Sequence, residues 1–251
     1  MLFKLSETMK KFNPFNALLL VTLALPVLSA ANPVNTNSTI TGNKNVITQD
    51  RPVTSFHAIT VSGGIDVDLS QGNELKLQVE ADENLVAIIH TEVKDGVLNI
   101  YHEENIREAK TMKIHLTFQQ LDAIIASGGC DIVSKQKLNF ATLKVELSGG
   151  CDIRLNCKAD NLVCLHRGGS DAELSGEAAN GNFKVSGGCD VKASEFYLKN
   201  CTVDASGGSD VSINVTGELT MKAAGASDIT YYGKPSKVIK SAQGASEIKG
   251  K

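Results

Sequence analysis

Apolar and polar residues alternate in short runs from Arg51 onward, which is the pattern of β-strands that bury one face. In the first three runs the apolar positions are Phe56, Ile59 and Val61, then Ile65, Val67 and Leu69, and then Leu75, Leu77 and Val79. Residues 82–90 are predicted to form one helical turn or a loop. Asp95-Gly96 stands between strand-like flanks and predicts a tight hairpin. The charged stretch 102–110 has no apolar face and predicts an exposed loop.

A second pattern begins near residue 121, where the phrase Ser-Gly-Gly-X-Asp-Ile/Val returns about every 20 residues. Its acidic residue stands at positions 131, 152, 171, 190, 210, 228 and 247, at spacings of 21, 19, 19, 20, 18 and 19 residues. An early copy stands apart at residues 62–67, and the last two copies carry Gly-Ala in place of Gly-Gly. A repeat of this length is typical of a solenoid.

Each repeat supplies a strand, a Gly-Gly corner, a second strand and a polar turn such as residues 156–161. A strand cannot bury its apolar face alone, so each coil is expected to stack on the next and to pair with it in parallel. Adjacent coils would rise by about 4.8 Å. The sequence therefore predicts an all-β fold, a parallel β-helix (solenoid) with coils of about 19–20 residues and a more irregular N-terminal half.

The first 31 residues have the order of a secretory signal peptide. A basic start precedes an apolar run over residues 17–28, and Ser29-Ala30-Ala31 forms a small-residue cleavage site. The run is too short to span a bilayer, which takes roughly 20 residues. No later stretch is long and apolar enough either, so we expect an exported chain with no membrane span once residues 1–31 are removed.

The remaining chain is predicted to comprise a leader and one domain. Residues 32–50 are polar and rich in Asn and Thr, which indicates a flexible leader. Residues 51–251 are predicted to form a single β-helical domain, irregular over 51–120 and regular over 121–250. Without residues 1–31 the chain has 22 basic and 27 acidic side chains and no basic cluster, which argues against nucleic acid as a partner.

The paired glycines are interpreted as corners, because glycine suits positive φ and crowded backbones. A phosphate-binding role would need a helix N-terminus after the glycines, and no helix is predicted there. The predicted structural corners are Gly63, Gly64, Gly128, Gly129, Gly149, Gly150, Gly168, Gly169, Gly187, Gly188, Gly207 and Gly208.

The acidic residues of the repeats are expected to point away from the core and to stack about 5 Å apart, where like charges repel. Each Asp could accept backbone N–H groups at its own corner, as in an Asx-turn. Alternatively, the column could hold calcium, which prefers carboxylate and carbonyl oxygens. The candidate calcium ladder is Asp131, Asp152, Asp171, Asp190, Asp210 and Asp228. Calcium-binding β-roll repeats use nine-residue spacing with an extra Gly, so we favour turn capping and expect no metal and no cofactor.

Position X is expected to face the core beside the corner, where small residues fit. Cys130, Cys151 and Cys189 would then act as small buried apolar residues. Stacking could also bring Cys130 and Cys151 within the disulfide range of about 4.4–6.8 Å between Cα atoms. His166 falls in an inward column and is expected to be a hydrogen-bonded structural residue. A nucleophilic Ser needs a nearby base, and no His repeats with Ser and Asp, so no catalytic residue is predicted.

The repeated Ser-Gly-Gly-X-Asp-Val phrases resemble the bacterial "putative autotransporter adhesin, head GIN domain" family. The segment from Arg51 through Ser62-Gly63-Gly64-Ile65-Asp66-Val67 and the stretch Asp95–Ile100 resemble the first half of that family. The resemblance covers about residues 48–250. It implies a right-handed β-helix, export and an adhesive or surface-binding role, and it brings no catalytic residues. Unlike an autotransporter, the chain shows no C-terminal membrane barrel in its sequence.

Three functions are consistent with these observations. The first is an exported, non-catalytic, adhesin-like binding module of the bacterial cell envelope, with a surface polymer, glycan or protein as its partner. The second is a carbohydrate-active β-helix enzyme, a polysaccharide lyase or hydrolase, although the short regular turns predict no cleft. The third is a purely structural spacer. We favour the first function, located in the periplasm, in the cell envelope or outside the cell.

Overall fold

The computed structural model describes residues 39–251, so the predicted signal peptide and the first part of the predicted leader lie outside the described residues. Nearly all of the described chain is β-structure, with one short helix. In chain order the elements are β1 (Thr39–Thr41), β2 (Val46–Arg51), β3 (Ala58–Ser62), β4 (Asp66–Gln71), β5 (Lys76–Asp82), α1 (Glu83–Val86), β6 (His90–Lys94), β7 (Val97–Tyr101), β8 (Asn105–Glu108), β9 (Met112–Phe118), β10 (Ala123–Ser127), β11 (Asp131–Ser134), β12 (Leu138–Ser148), β13 (Asp152–Gly168), β14 (Asp171–Gly187), β15 (Asp190–Gly207), β16 (Asp210–Val215), β17 (Glu218–Gly225), β18 (Asp228–Tyr232), β19 (Lys237–Gly244) and β20 (Glu247–Gly250).

The strands form a parallel β-helix, which confirms the predicted fold. Two ladders of paired strands run along it, one before and one after each glycine corner. The ladder before the corner passes through β7, β3, β10, β12, β13, β14, β15, β17 and β19. The ladder after the corner passes through β9, β4, β11, β13, β14, β15, β16, β18 and β20. Equivalent residues of successive repeats lie side by side, so that Asp152 pairs with Asp171.

The predicted polar turn at residues 156–161 is wrong in its details. Strands β13, β14 and β15 each continue from one corner to the next. Residues 156–159 pair in register with residues 175–178 of the following coil. The chain therefore bends around the coil while its backbone groups keep partners in the neighbouring coils, which is the condition for a stable stack.

The N-terminal half is irregular because its coils stack in an order that differs from their order along the chain. The coil made by β3 and β4 lies between the coil of β7 and β9 and the coil of β10 and β11. Strand β5 pairs antiparallel with both β2 and β9, and β6 pairs antiparallel with β7. The solenoid thus begins with antiparallel strands that do not repeat.

Two short segments differ from prediction, and two are confirmed. Helix α1 and the β6–β7 hairpin at Asp95-Gly96 form as expected. The loop predicted over residues 102–110 contains β8, which pairs with β1. The leader predicted over residues 32–50 is corrected for its described part, since β1 and most of β2 lie within it.

Asp82 explains why this polar segment is ordered. It is fully buried. Its carboxylate accepts hydrogen bonds from the backbone N–H of Lys44 at 3.1 Å and of Lys110 at 3.2 Å. Gly42 packs against the same carboxylate, where a Cβ atom would collide with it. One buried acid therefore joins the β1–β2 segment to the chain just before β9.

The core lies inside the coils and is mainly aliphatic. Its inward columns consist largely of Ile, Leu, Val, Ala and Cys, and Phe118, Phe183 and Phe196 are among its largest fully buried side chains. No helix within residues 39–251 has the length and apolar character that a membrane crossing requires.

Candidate functional site

The two glycines of each corner differ in conformation. The first glycine has positive φ at every corner; φ is 84° at Gly63 in the first corner and 79° at Gly244 in the last. The second has positive φ only in the first three corners, at Gly64, Gly129 and Gly150. At the later corners the second position no longer needs a glycine backbone, which explains why Ala226 and Ala245 can replace it.

The first glycine is also required by close packing between coils. A Cβ atom on Gly187 would collide with the carbonyl oxygen of Gly168, and one on Gly207 would lie 2.7 Å from the carbonyl oxygen of Gly187. A Cβ atom on Gly188 would meet nothing within 4 Å. Positive φ therefore marks both glycine positions in the first three corners but only the first position in the later ones.

The acidic column forms as predicted, but its hydrogen bonds join neighbouring coils. Asp66 Oδ1 accepts the backbone N–H of Asp131 at 3.2 Å, and Asp171 Oδ1 accepts that of Asp190 at 2.9 Å. Asp228 Oδ1 likewise accepts the N–H of Glu247 at 3.1 Å. Each of these carboxylates therefore caps the equivalent residue one coil on, which corrects the expectation that each Asp would cap its own corner.

Stacking the carboxylates has an electrostatic consequence. Burial, together with the charges of Asp131 and Asp171, raises the pKa of Asp152. Burial is also the main reason that the pKa of Asp66 is raised. Within residues 39–251, no group of three or more His, Cys, Asp or Glu side chains is arranged to hold a metal ion. The calcium ladder thus stays a hypothesis without a coordinating cluster in the described chain.

Position X faces the core, as predicted. Cys130, Cys151 and Cys189 are fully buried there, as are the serines at the same position in other coils, Ser170, Ser209 and Ser227. All six cysteines are free thiols. Cys130 and Cys151 are close neighbours, and the Cys130 N–H lies 3.3 Å from Cys151 Sγ. Burial raises the pKa of Cys157 and of Cys201 to about 12, which makes these thiols poor nucleophiles.

His166 is inward and fully buried, as predicted, but it is not hydrogen bonded as expected. Neither ring nitrogen has a hydrogen-bond partner among the described residues. It lies between Leu147 and Val185 of the adjacent coils. Burial lowers its pKa to about 4, so the ring is neutral at physiological pH.

A shallow groove follows the Asp column along the ladder after the corner. One part has a volume of about 350 Å³, and a second part of about 130 Å³ shares Asp190 and Lys192 with it. A second outward column runs beside the Asp residues, and its side chains differ in charge from coil to coil. In successive coils it carries Arg154, Glu173, Lys192, Ser212, Thr230 and Lys249. The groove thus presents carboxylates, cations and hydroxyl groups in rows across several coils.

A cluster around His115 was not predicted from the sequence. His115 lies between two carboxylates, with Nδ1 3.3 Å from Asp68 Oδ2 and Nε2 2.8 Å from Glu80 Oε2. Lys135 Nζ lies 3.1 Å from the other oxygen of Asp68. These side chains come from four separate segments. Strand β9 pairs with β4 on one side and antiparallel with β5 on the other, and β11 pairs with β4, so the four segments meet here. The cluster joins the irregular end of the solenoid to its regular coils.

The fold and these surfaces define a β-solenoid whose polar features lie on the outside of its coils. A profile of the family described as "Putative auto-transporter adhesin, head GIN domain" matches residues 55–235, and the chain belongs to this family. The family's description names an adhesin rather than an enzyme. A search of curated proteins gave no match.

Solved structures resemble the chain along most of its length. A "putative adhesin" from Bacteroides fragilis is 26% identical, with a TM-score of 0.78 over 84% of this chain and 100% of that one. A "putative lipid binding protein" from Parabacteroides distasonis is 22% identical, with a TM-score of 0.72 over 85% and 99% of the two chains. A "putative adhesin" from Parabacteroides merdae is 20% identical, with a TM-score of 0.68 over 85% and 99%. The latter two share the fold.

Proposed function

We propose that this protein is an exported, non-catalytic, adhesin-like binding module of the bacterial cell envelope. It holds an extended polymer, a surface glycan or a protein, along the groove beside the Asp column. The observation that carries the proposal is the groove itself, which is open, shallow and lined by rows of charged and hydroxyl side chains across successive coils. An extended partner can contact equivalent side chains at each coil, so weak contacts add along its length.

The same geometry disfavours catalysis in the groove. Asp171 and Asp228 are hydrogen bonded to the backbone of the next coil, which leaves them less free to transfer protons. Hydrolysis of a glycosidic bond needs a carboxyl pair with one member kept protonated at the scissile bond. The groove instead stacks one Asp per coil, with Glu173 as a further carboxylate beside Asp171, and it has no walls of long loops around it.

The proposal is tested by capturing partners from envelope extracts with the chain lacking residues 1–31. A variant with Arg154→Gln and Lys192→Gln removes two cations from the groove, and we expect it to retain less than a tenth of the captured material. Lys184→Gln with Lys222→Gln makes the same change of charge on exposed residues of β14 and β17, on the ladder before the corner, and should leave capture unchanged.

Location is tested separately, by fractionating cells and by treating intact cells with protease. The chain should be found outside the cytoplasm. If the unaltered chain captures no partner from any extract, the binding function is wrong and a structural spacer becomes the better account. Equal loss in the groove and control variants would show that the groove is not the binding face.

A further inference from the structure

The coil formed by β15 is wider than the coil that follows it, and this difference creates a step on the surface. Ala193 pairs with Ile213 of β16, but the next pair is Tyr197 with Asn214, so residues 194–196 have no partner on that side. The bulge is anchored from within by Phe196, which is fully buried. Bulges of this kind redirect side chains and are frequent next to binding sites.

Tyr197 directly follows the bulge, and its side chain points outward. Tyr197 is 61% exposed and is the only exposed aromatic side chain among residues 39–251. Burying a tyrosine ring is favourable. Nothing in the fold requires a ring at this position, since its direct neighbours in the same outward row are Glu177 and Asn214. An exposed tyrosine ring at the step between these two coils therefore indicates a ligand-binding surface.

A hollow of about 310 Å³ lies beside the ring. Ala179, the exposed residue of the middle coil in this hollow, has only a Cβ atom and leaves space above it. Asp160 and Lys199 also line it, and neither is in an ion pair within the described chain. Glu177 differs, since Lys158 and Lys137 lie 3.3 and 3.7 Å from its carboxylate, and Lys158 lowers its pKa. The hollow thus combines one aromatic face with a free acceptor and a free donor.

We infer that the step at Tyr197 is a carbohydrate-binding subsite in which the tyrosine ring stacks on the face of a pyranose. The C–H groups of one sugar face are weakly positive and suit the negative face of an aromatic ring. Asp160 accepts hydrogen bonds from sugar hydroxyl groups, and Lys199 donates to them. The inference rests on the proposed binding function and names a ligand class and a second contact surface for it.

The chemistry of the hollow favours a sugar over a peptide. Peptide recognition uses a strand added to a free sheet edge, a groove for an amphipathic helix, or aromatic grooves for proline. Here Tyr197 and Leu198, which line the hollow, are paired on both sides, and the hollow has a single aromatic residue with polar neighbours. Its volume is at the lower end of the roughly 300–1,000 Å³ typical of ligand pockets, which suits one sugar unit of a longer chain.

The test is binding of the chain lacking residues 1–31 to an array of pyranose oligosaccharides, including β-1,4-linked hexamers of glucose, mannose and N-acetylglucosamine. Affinities are then measured by titration for the sugars that bind. Tyr197→Ala should weaken binding about tenfold, whereas Tyr197→Phe keeps the ring and should stay within about threefold. Tyr101→Ala removes a tyrosine of β7, several coils away, that does not line the hollow and should leave affinity unchanged.

A spectroscopic readout separates stacking from an indirect effect. The protein contains no Trp and four Tyr, so its ultraviolet difference spectrum reports on tyrosine alone. A sugar that binds should perturb this spectrum in the unaltered chain and in Tyr101→Ala, but much less in Tyr197→Ala. Thermal melting of each variant confirms that it is folded.

The outcomes distinguish this inference from the proposed function. If no sugar on the array binds, or if Tyr197→Ala binds sugar as well as the unaltered chain does, the inference is wrong. The proposed function survives either result if envelope polymers are still captured through the groove. If neither sugar nor any envelope polymer binds, both are wrong.

Discussion

At the scale of single residues, the two glycines of a corner meet different requirements. The first has positive φ at every corner of the described chain. At Gly187, Gly207, Gly225 and Gly244 an added Cβ atom would also collide with the backbone of the previous coil. The second has open space beyond it in several coils, and in the later coils its φ is no longer positive. The Gly-Ala copies in the sequence point to this asymmetry, although the reason for it lies in contacts between coils.

We predict opposite outcomes for two neighbouring substitutions. Gly187→Ala should lower the free energy of unfolding by about 3 kcal/mol, because it combines an unfavourable φ with a collision. Gly188→Ala should change it by less than about 1 kcal/mol, and in the stabilising direction, because alanine loses less backbone entropy on folding. Urea denaturation of the two variants gives both values. A large destabilisation by Gly188→Ala would contradict the asymmetry.

The inward position of His166 was predicted correctly from the sequence, but its lack of hydrogen bonds was not. The period-two pattern places it inward, but only the structure shows that apolar neighbours leave both of its nitrogens without partners. An unpaired buried imidazole remains neutral because protonation would place a charge in the core.

Stability should therefore depend on pH through His166. Its pKa is about 4 in the folded chain, against 6.5 for the unperturbed group. Between these values the unfolded state binds more protons, so stability falls as the pH falls from 6.5 to 4, by on the order of 3 kcal/mol in total. His166→Leu should abolish this part of the slope. Urea denaturation across this pH range measures it, with the exposed His57→Gln as the control. An unchanged slope in His166→Leu would refute the prediction.

At the scale of elements, hydrogen bonds from the acidic column join neighbouring coils. The sequence could predict the column and its outward direction, because one Asp recurs beside every corner. It could not predict that the carboxylate bonds to the next coil, since the acceptor and the donor lie about 19 residues apart. These bonds offset part of the repulsion between stacked carboxylates.

Calcium is accordingly predicted to have little effect on stability. Adding millimolar Ca²⁺ should leave the melting temperature unchanged, and a chelator should not lower it. Asp66, Asp171 and Asp228 already accept backbone hydrogen bonds, and no coordinating cluster lies within residues 39–251. Differential scanning calorimetry measures both. A clear rise with Ca²⁺ that is lost in Asp190→Asn would show that the column binds the ion.

At the scale of the whole molecule, the repeat period predicts the solenoid but not the order of its coils. Residues 51–120 give strand patterns without a repeat, and the excursion through β5 to β9 places a later coil before an earlier one. The step at Tyr197 could not be predicted from the sequence either, because it arises where a coil of 20 residues is followed by one of 18. Surfaces that arise from mismatched coils need the register of both neighbours, which a single sequence does not supply.

The central claim is that the outer surface of this solenoid binds a polymer without altering it. The most direct measurement follows binding and cleavage together, by titrating the chain lacking residues 1–31 with envelope polysaccharide and assaying new reducing ends and unsaturated sugar products in the same samples. We predict saturable binding with no product over prolonged incubation. Product formation that disappears on substitution of an acidic pair in the groove would contradict the claim and identify an enzyme.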